Sequence, residues 1–535
     1  MGPRMHLVDS SSQPSLDPRR TLAGKHILVT GVTGFLGKVW LSWLLHTVPE
    51  VGQVTVLVRP RPGQTPLQRF ARIADTSPCF RPLRERHGDD WADFLRQRIT
   101  VVRGNVEKPQ LGLGPAVVER LRGRVDAVIH CAGLTDFEGE PGKMVAVNTR
   151  GAQHAAQLAS TLGARHVHVS TCFVAGYRDG LVPEQLLTGQ SPNGSTLDVD
   201  AELRALEEAT HLPDLNGREL KKARVEVAVE RAKALGWPNV YTYTKGMGEH
   251  LVRAVPGLDA TIVRPAILEC ARAYPFLGWN EGLNTSGPLS WLIATAFRHL
   301  PAKGDHNFDV VPIDDAARAL TLALVATLDG NSAGVYQIAA SDHNPLTFDR
   351  TIELNGLAVR KYTRQQGASG WSDWLLQHMD PVSSTDGGPL SVPRVRRFAR
   401  FLGRVAHELD EDELLGATAR KVNERMQKTD RSLRRIEEML RIYKPFISEL
   451  DYTFSSAHLR QLTDALPASE REAFGYDLSD LDWCHYWVDV EYPGLMTWSI
   501  PILHGDKPPE DPASVPPLSL EPAAGTSARV VGQPR

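Results

Sequence analysis

"HILVTGVTGFLGK", residues 26–38, decides how the rest of the chain is read. A short apolar run from Ile27 to Val29 stops at a glycine. Apolar residues at helical spacing then follow from Phe35 through "VWLSWLLHTV". Between the two, Gly31, Gly34 and Gly37 recur at every third position. A strand feeding such a loop lets backbone approach a pyrophosphate without interference from side chains. The helix that follows offers oriented N–H groups and a partial positive charge. A glycine triplet alone is common; one lodged between a strand and a helix is the start of a dinucleotide fold.

Outward from that loop the pattern repeats. "VTVLVR", "ITVVRGN", "VDAVIHCAG", "ARHVHVST" and "ATIVRPAIL" read as five more strands, each separated from the next by helical stretches. Continuous Val/Ile runs of this kind are buried on both faces. The expected architecture is therefore α/β: a Rossmann-type, doubly wound parallel sheet. Residues 178–237 carry two charged helical patterns of mixed sign and read as a helical insertion. Residues 61–98 and 340–395 have no assigned role. The expected organisation is a flexible leader over 1–22, a reductase domain over 23–345, a mainly helical C-terminal domain over 346–500 and a disordered tail over 505–535.

Composition sets limits. The chain has 535 residues, 42% of them apolar and 23% charged, with a formal charge of −3. A length of this order exceeds what one core usually serves, so two or more domains are expected. The near-neutral balance speaks against a nucleic-acid binder. Five cysteines without paired spacing suggest neither a disulfide framework nor a metal site, and they fit a reducing cytoplasm. No secretory leader and no run of about 18 apolar residues occurs, so membrane contact is at most peripheral.

Cofactor choice turns on the end of the second strand. An acidic residue there would bind a ribose hydroxyl; Arg59 stands there instead and suits the 2′-phosphate of NADPH. Lys38 and Arg61 are weaker phosphate candidates. Asn105 follows strand three and is placed to meet the adenine. Ala132 and Gly133 follow strand four and are small enough to pass close to the cofactor. Asn148 opens a helix, where capping is its ordinary role. His130, His166 and His168 read as core residues, and Cys172 as a buried thiol.

The chemistry rests on "HVSTCFVAG" and "YTYTKGMGE". Ser170 and Thr171 end strand five at the sheet edge where ligands bind in such folds. Alternation along a strand would let only one of them reach a substrate. Tyr241 and Lys245 are four residues apart and share a helix face, whereas Tyr243 does not. A lysine ammonium beside the phenol is expected to lower its pKa from about 10. The phenol then gives a proton to an oxyanion that the hydroxyl holds. A lone Tyr-x-x-x-Lys occurs by chance in long chains; here it follows the glycine loop and the strand-end hydroxyl in the expected order.

The glycine loop, these two segments and "IVRPAILE" resemble the extended short-chain dehydrogenase/reductases. "GVTGFLGKVWLSWLL", "YPFLGWNEGLNTSGPL" with "FDVVPIDDAARA", and "YKPFISELDYTF…FGYDLSDLDWCHYWVDVEYPGL" narrow the resemblance to alcohol-forming fatty acyl-CoA reductases with their C-terminal male-sterility domain. The resemblance implies an oxidoreductase of lipid metabolism. It would use NADPH to reduce long-chain acyl-CoA, or an acyl carrier protein thioester, through a bound fatty aldehyde to the primary alcohol, with no metal. Thr171, Tyr241 and Lys245 take the catalytic positions. The implied cofactor set is Gly31, Thr33, Gly34, Phe35, Leu36 and Gly37 from the loop, then Arg59, Asn105, Val106, Ala132, Gly133, Asn148, Ser170, Tyr241, Lys245, Pro265 and Ala266. C-terminal aromatics (Trp371, Trp374, Phe446, Trp483, Trp487) would wall an apolar channel. The basic run from Arg394 to Arg404 reads as a solvated helix face. An aldehyde-forming reductase, a hydroxysteroid-type dehydrogenase and a non-catalytic NADPH sensor stay open beside the alcohol-forming reading.

Overall fold

The computed structural model describes residues 16–511, except 282–285, 295–297, 366, 368–370, 385–390, 409–425, 428–429, 431–432, 435, 439, 504 and 508. Seven parallel strands form its main sheet: β1 (His26–Thr30), β2 (Gln53–Val58), β3 (Ile99–Arg103), β4 (Ala127–His130), β5 (Arg165–Val169), β6 (Ala260–Pro265) and β7 (Val335–Ile338). Their order is β7-β6-β5-β4-β1-β2-β3. The strand order reverses between β1 and β4, whose register pairs Thr30 with His130. Ligands bind at the carboxyl ends of strands beside such a switch point.

Both faces are covered, as the apolar runs require. α1 (Phe35–Thr47) and α4 (Ile313–Leu328) lie on one side, α2 (Arg150–Leu162) and α3 (Val240–Arg253) on the other. Alternate residues of β1 divide between the two cores: Ile27 and Val29 join the α1/α4 side, and Leu28 packs with Leu158 and Ala159 of α2. The inserted helices Val199–Ala209 and Gly217–Ala234 make a smaller core with α3 through Leu203, Leu206, Ala228 and Trp237.

The C-terminal segment shares the larger core. Leu450, Phe454, Leu459 and Trp487 are continuous with α1 and α4. The short strand Tyr452–Phe454 pairs in parallel with Gly180–Val182, just after β5. Packing therefore runs unbroken across residue 345.

Both expected ends need correction. From Leu16 the leader is buried, its amide bonded to the Ala465 carbonyl, and Pro18–Leu22 is a capped helical turn. The tail is held as far as Asp511, which pairs with Arg81 and Arg84 at 2.6 Å each. Composition marked these stretches as polar or proline-rich; among their described residues, Leu16 and the Asp511 ion pairs are anchored to the fold.

Candidate active site

The glycine loop closes the cleft from below. Gly31 has φ +85°, and a Cβ there would stand 2.6 Å from the backbone of Cys131 and Ala132. A Cβ on Gly37 would stand 2.5 Å from the Gly31 carbonyl oxygen. Only glycine lets loop and helix approach this closely. Gly34 caps α1 without any side-chain hydrogen bond, so the amides of the first turn are left for a ligand.

At the loop's outer edge three arginines converge. Arg69 donates to the Arg59 carbonyl at 2.8 Å and to the Thr33 hydroxyl at 3.3 Å. Burial first, then the charges of Arg61 and Arg59, lower its pKa. Arg59 itself is more than half exposed and paired with Glu107 at 3.3 Å. Arg69 was not singled out from the sequence. "TPLQ" was the available signal: Thr65 and Gln68 form a capping box with Pro66 inside it, which starts a helix right after β2. Lys38, a weaker phosphate candidate, is buried and paired with Glu281 at 2.5 Å.

The catalytic candidates meet on the opposite wall. Thr171 lies two residues beyond β5 and caps the turn that begins at Cys172. Its hydroxyl donates to the Pro265 carbonyl at 3.3 Å and faces the same cavity as the Tyr241 phenol, near enough to lower the phenol's pKa. Asn239 caps α3, which places Tyr241 in the first turn and Lys245 one turn later. The Lys245 ammonium, 4% exposed, donates to the Val169 carbonyl at 2.6 Å. Ser170 is buried and its hydroxyl has no hydrogen-bond partner. Both Ser170 and Thr171 line the cleft, contrary to the alternation argument, because β5 ends at Val169 and a tight turn begins at Cys172.

Electrostatics also differ from expectation. Burial pushes the Tyr241 phenol up to about 12, and the Thr171 hydroxyl offsets this only in part. Burial pulls Lys245 down to about 8. The ammonium is committed to a backbone carbonyl, so the phenol is not made acidic. It stays protonated at neutral pH and is equipped as a donor.

These groups bound a cavity of about 510 Å³. Gly31, Gly34, Phe35, Leu36, Gly37, Gly133, Ser170, Thr171, Tyr241, Lys245, Pro265 and Ala266 all line it. Thr33, Arg59, Ala132, Asn105, Val106 and Asn148 do not. Asn105 folds back to accept from the Glu107 amide at 3.1 Å. The Val106 carbonyl is bonded to His154. Asn148 is no helix cap. It lies inside a π-helical turn, Val145–Thr149, and braces Leu134 at 2.8 and 2.9 Å.

Next to this cavity, sharing Phe137, Phe173 and Tyr241 with it, lies an aromatic pocket of about 50 Å³. Phe137 stacks on Tyr241 with ring centres 5.9 Å apart. Phe446 lies 5.3 Å from both Phe137 and Phe173. It comes from a second π-helical turn, Pro445–Glu449; such turns re-aim side chains and recur at functional sites. Of the aromatics expected to wall a channel, Phe446 lines this pocket. Trp487 is buried in the core, Trp483 is tied to Asn344, Trp374 is 53% exposed, and the Trp371 side chain lies outside the described residues. Tyr243 is a packing residue: it is fully buried beside Trp237 and bonded to Glu202. His130, His166 and His168 are buried in the sheet, and Cys172 is buried with its thiol donating to the Arg264 carbonyl at 2.8 Å.

Residues 29–320, from β1 through the first half of α4, match the NAD-binding family described as male sterility protein. The chain belongs to that family. Fatty acyl-CoA reductase 2, chloroplastic, of Arabidopsis thaliana is 28% identical over 510 residues, covering 89% of this chain and 78% of the relative. The alcohol-forming fatty acyl-CoA reductase of Simmondsia chinensis is 26% identical over 501 residues, covering 89% and 97%. Among solved structures, a reductase domain of a non-ribosomal peptide synthetase from Mycobacterium tuberculosis is 15% identical with a TM-score of 0.46, covering 92% of this chain and 94% of that one. This male-sterility family member is an oxidoreductase with an NAD-binding domain. No helix among its described residues is long and apolar enough to cross a membrane.

Proposed function

We propose that the protein reduces long-chain fatty acyl-CoA to the primary alcohol with two NADPH, through a bound aldehyde and with release of CoA as thiol. The observation that carries the reading is that Thr171, Tyr241 and Lys245 share one cavity with the glycine loop, with Tyr241 also lining the aromatic pocket. The residues present fit the dinucleotide. The uncapped first turn of α1 and the side-chain-free loop suit a pyrophosphate, Ser170 has a free buried hydroxyl, and Arg69, Arg59 and Arg61 suit a 2′-phosphate.

NADPH, when bound, supplies the hydride for each of the two reductions. The chain's own groups do the rest. Thr171 and Tyr241 hold the substrate carbonyl oxygen and stabilise the charge that develops on it. In the first reduction the carbon–sulfur bond breaks, CoA leaves as thiol, and an aldehyde remains. In the second, the Tyr241 phenol gives its proton to the oxygen and an alcohol forms. Lys245, fixed by the Val169 carbonyl, would hold the nicotinamide ribose. Phe137, Phe173 and Phe446 keep water from the acyl end and would take the chain. Two NADPH and two protons are taken up and one thiol is released, which balances as acyl-S-CoA + 2 NADPH + 2 H⁺ → alcohol + CoA-SH + 2 NADP⁺.

The test is to incubate the full chain with NADPH and hexadecanoyl-CoA while following thiol release and product mass. One thiol and one alcohol for each two NADPH oxidised is the expected result. Aldehyde as the only product would make the protein an aldehyde-forming reductase. NADPH binding without turnover on any acyl thioester or aldehyde would make it a sensor.

A further inference from the structure

The helix α5 (Val392–Glu408) presents two unlike faces. Its inner face is anchored. Val392 is buried, and Arg396 pairs with Asp430 at 2.9 Å and also with Glu437. Its outer face carries Phe398, 61% exposed, and Phe401, 53% exposed. Arg394, Arg397 and Arg404 are exposed beside them, while Arg400 turns toward Asp430 at 3.7 Å. The spacing places these residues on one stripe: Arg394 lies four before Phe398, Arg397 four before Phe401, and Arg404 three after it. A face that only meets water accounts for the arginines but not for two phenylalanines left more than half in solvent. Large rings flanked by cations are what an anionic bilayer surface selects. The rings enter the headgroup boundary and the guanidinium groups meet lipid phosphates.

We propose that this face of α5 seats the protein on an anionic lipid surface, with Phe398 and Phe401 inserted and Arg394, Arg397 and Arg404 on the phosphates. Charge complementarity chooses this occupant over a second copy of the chain, because two such faces would oppose arginine to arginine. The contact is peripheral. Its benefit rests on the reductase reading, since a long-chain alcohol is poorly soluble and would leave into the bilayer, but its existence does not.

Vesicle co-sedimentation tests it without reference to catalysis. The full chain is mixed with vesicles of phosphatidylcholine alone or with about one third phosphatidylglycerol, at low and high salt. Binding is expected only to the anionic vesicles, weakening as salt rises. Phe398→Ser with Phe401→Ser should lower the partition coefficient at least about tenfold, and Arg394→Glu with Arg397→Glu should abolish the salt-sensitive part. Both double variants should keep their melting temperature, and their reduction of a short, soluble acyl-CoA without vesicles should match the parent. Equal binding to both vesicle types, no binding at all, or unchanged binding by the phenylalanine variant would overturn the proposal. A dimeric parent made monomeric by the phenylalanine variant would assign the face to self-association instead. Membrane binding in a protein inactive on acyl thioesters would leave this inference standing and remove the reductase reading.

Discussion

Two walls of one cavity were built in different ways. The floor and one side, from the glycine loop to α3, come from short segments whose spacing already encodes their geometry. The far wall, from Phe137 to Phe446, joins residues more than 300 positions apart, held by ring contacts at 5.3 Å. The first wall is strict. A Cβ on Gly37 meets backbone at 2.5 Å, and backbone has nowhere to move. The second is made of aromatic side chains around a small space, and rotamers can change there. The lesson is that chemistry and cofactor should tolerate almost no substitution, while chain selection should be easily retuned.

That contrast can be broken or sharpened by substitution. Tyr241→Phe should have the largest effect, a loss of about 10³-fold in kcat on acyl-CoA with NADPH affinity nearly unchanged, measured by single-turnover kinetics. Near-normal turnover would remove Tyr241 from the mechanism. Next comes pH. Burial holds Lys245 near 8, so its ammonium is present below that value and is lost as pH rises through it. kcat/KM should therefore fall about tenfold between about pH 7 and about pH 9, and a flat profile would show that the ammonium is not needed.

Arg69→Ala should raise KM for NADPH about tenfold while leaving KM for NADH alone. Equal effects on both cofactors would place the 2′-phosphate elsewhere. Phe446→Ala should change the ratio of kcat/KM between long and short acyl chains by about tenfold in favour of the long, at an unchanged thiol-to-NADPH ratio. If the chain-length profile does not move, the acyl group does not enter the aromatic pocket. Tyr243→Phe should do least. It should keep kcat within error and cost about 1 kcal/mol in denaturant unfolding, the order expected for one lost hydrogen bond to Glu202.

The parallel sheet, the loop glycines and the Tyr241/Lys245 pair were legible because each depends on neighbours within about one helical turn or one strand. The expectation that only one of Ser170 and Thr171 faces the site fails for the same reason: the two-residue period applies only while the strand continues, and β5 stops at Val169. Lys38 has the right charge and position for a phosphate, yet Glu281, 243 residues later, takes it. Arg69 carried a readable helix start, but its approach to Arg59 and Thr33 is a tertiary fact.

The sequence by itself determined a doubly wound sheet, a phosphate loop that admits no side chain, and a phenol sharing a helix face with an ammonium group. These follow from steric rules and fixed periodicities that act locally. Only the tertiary structure decided that burial raises the Tyr241 phenol to about 12, that Lys245 is held by the Val169 carbonyl, and that Phe446 reaches the back of the cleft. Desolvation and packing depend on everything that surrounds a group, and no short stretch of chain contains that information.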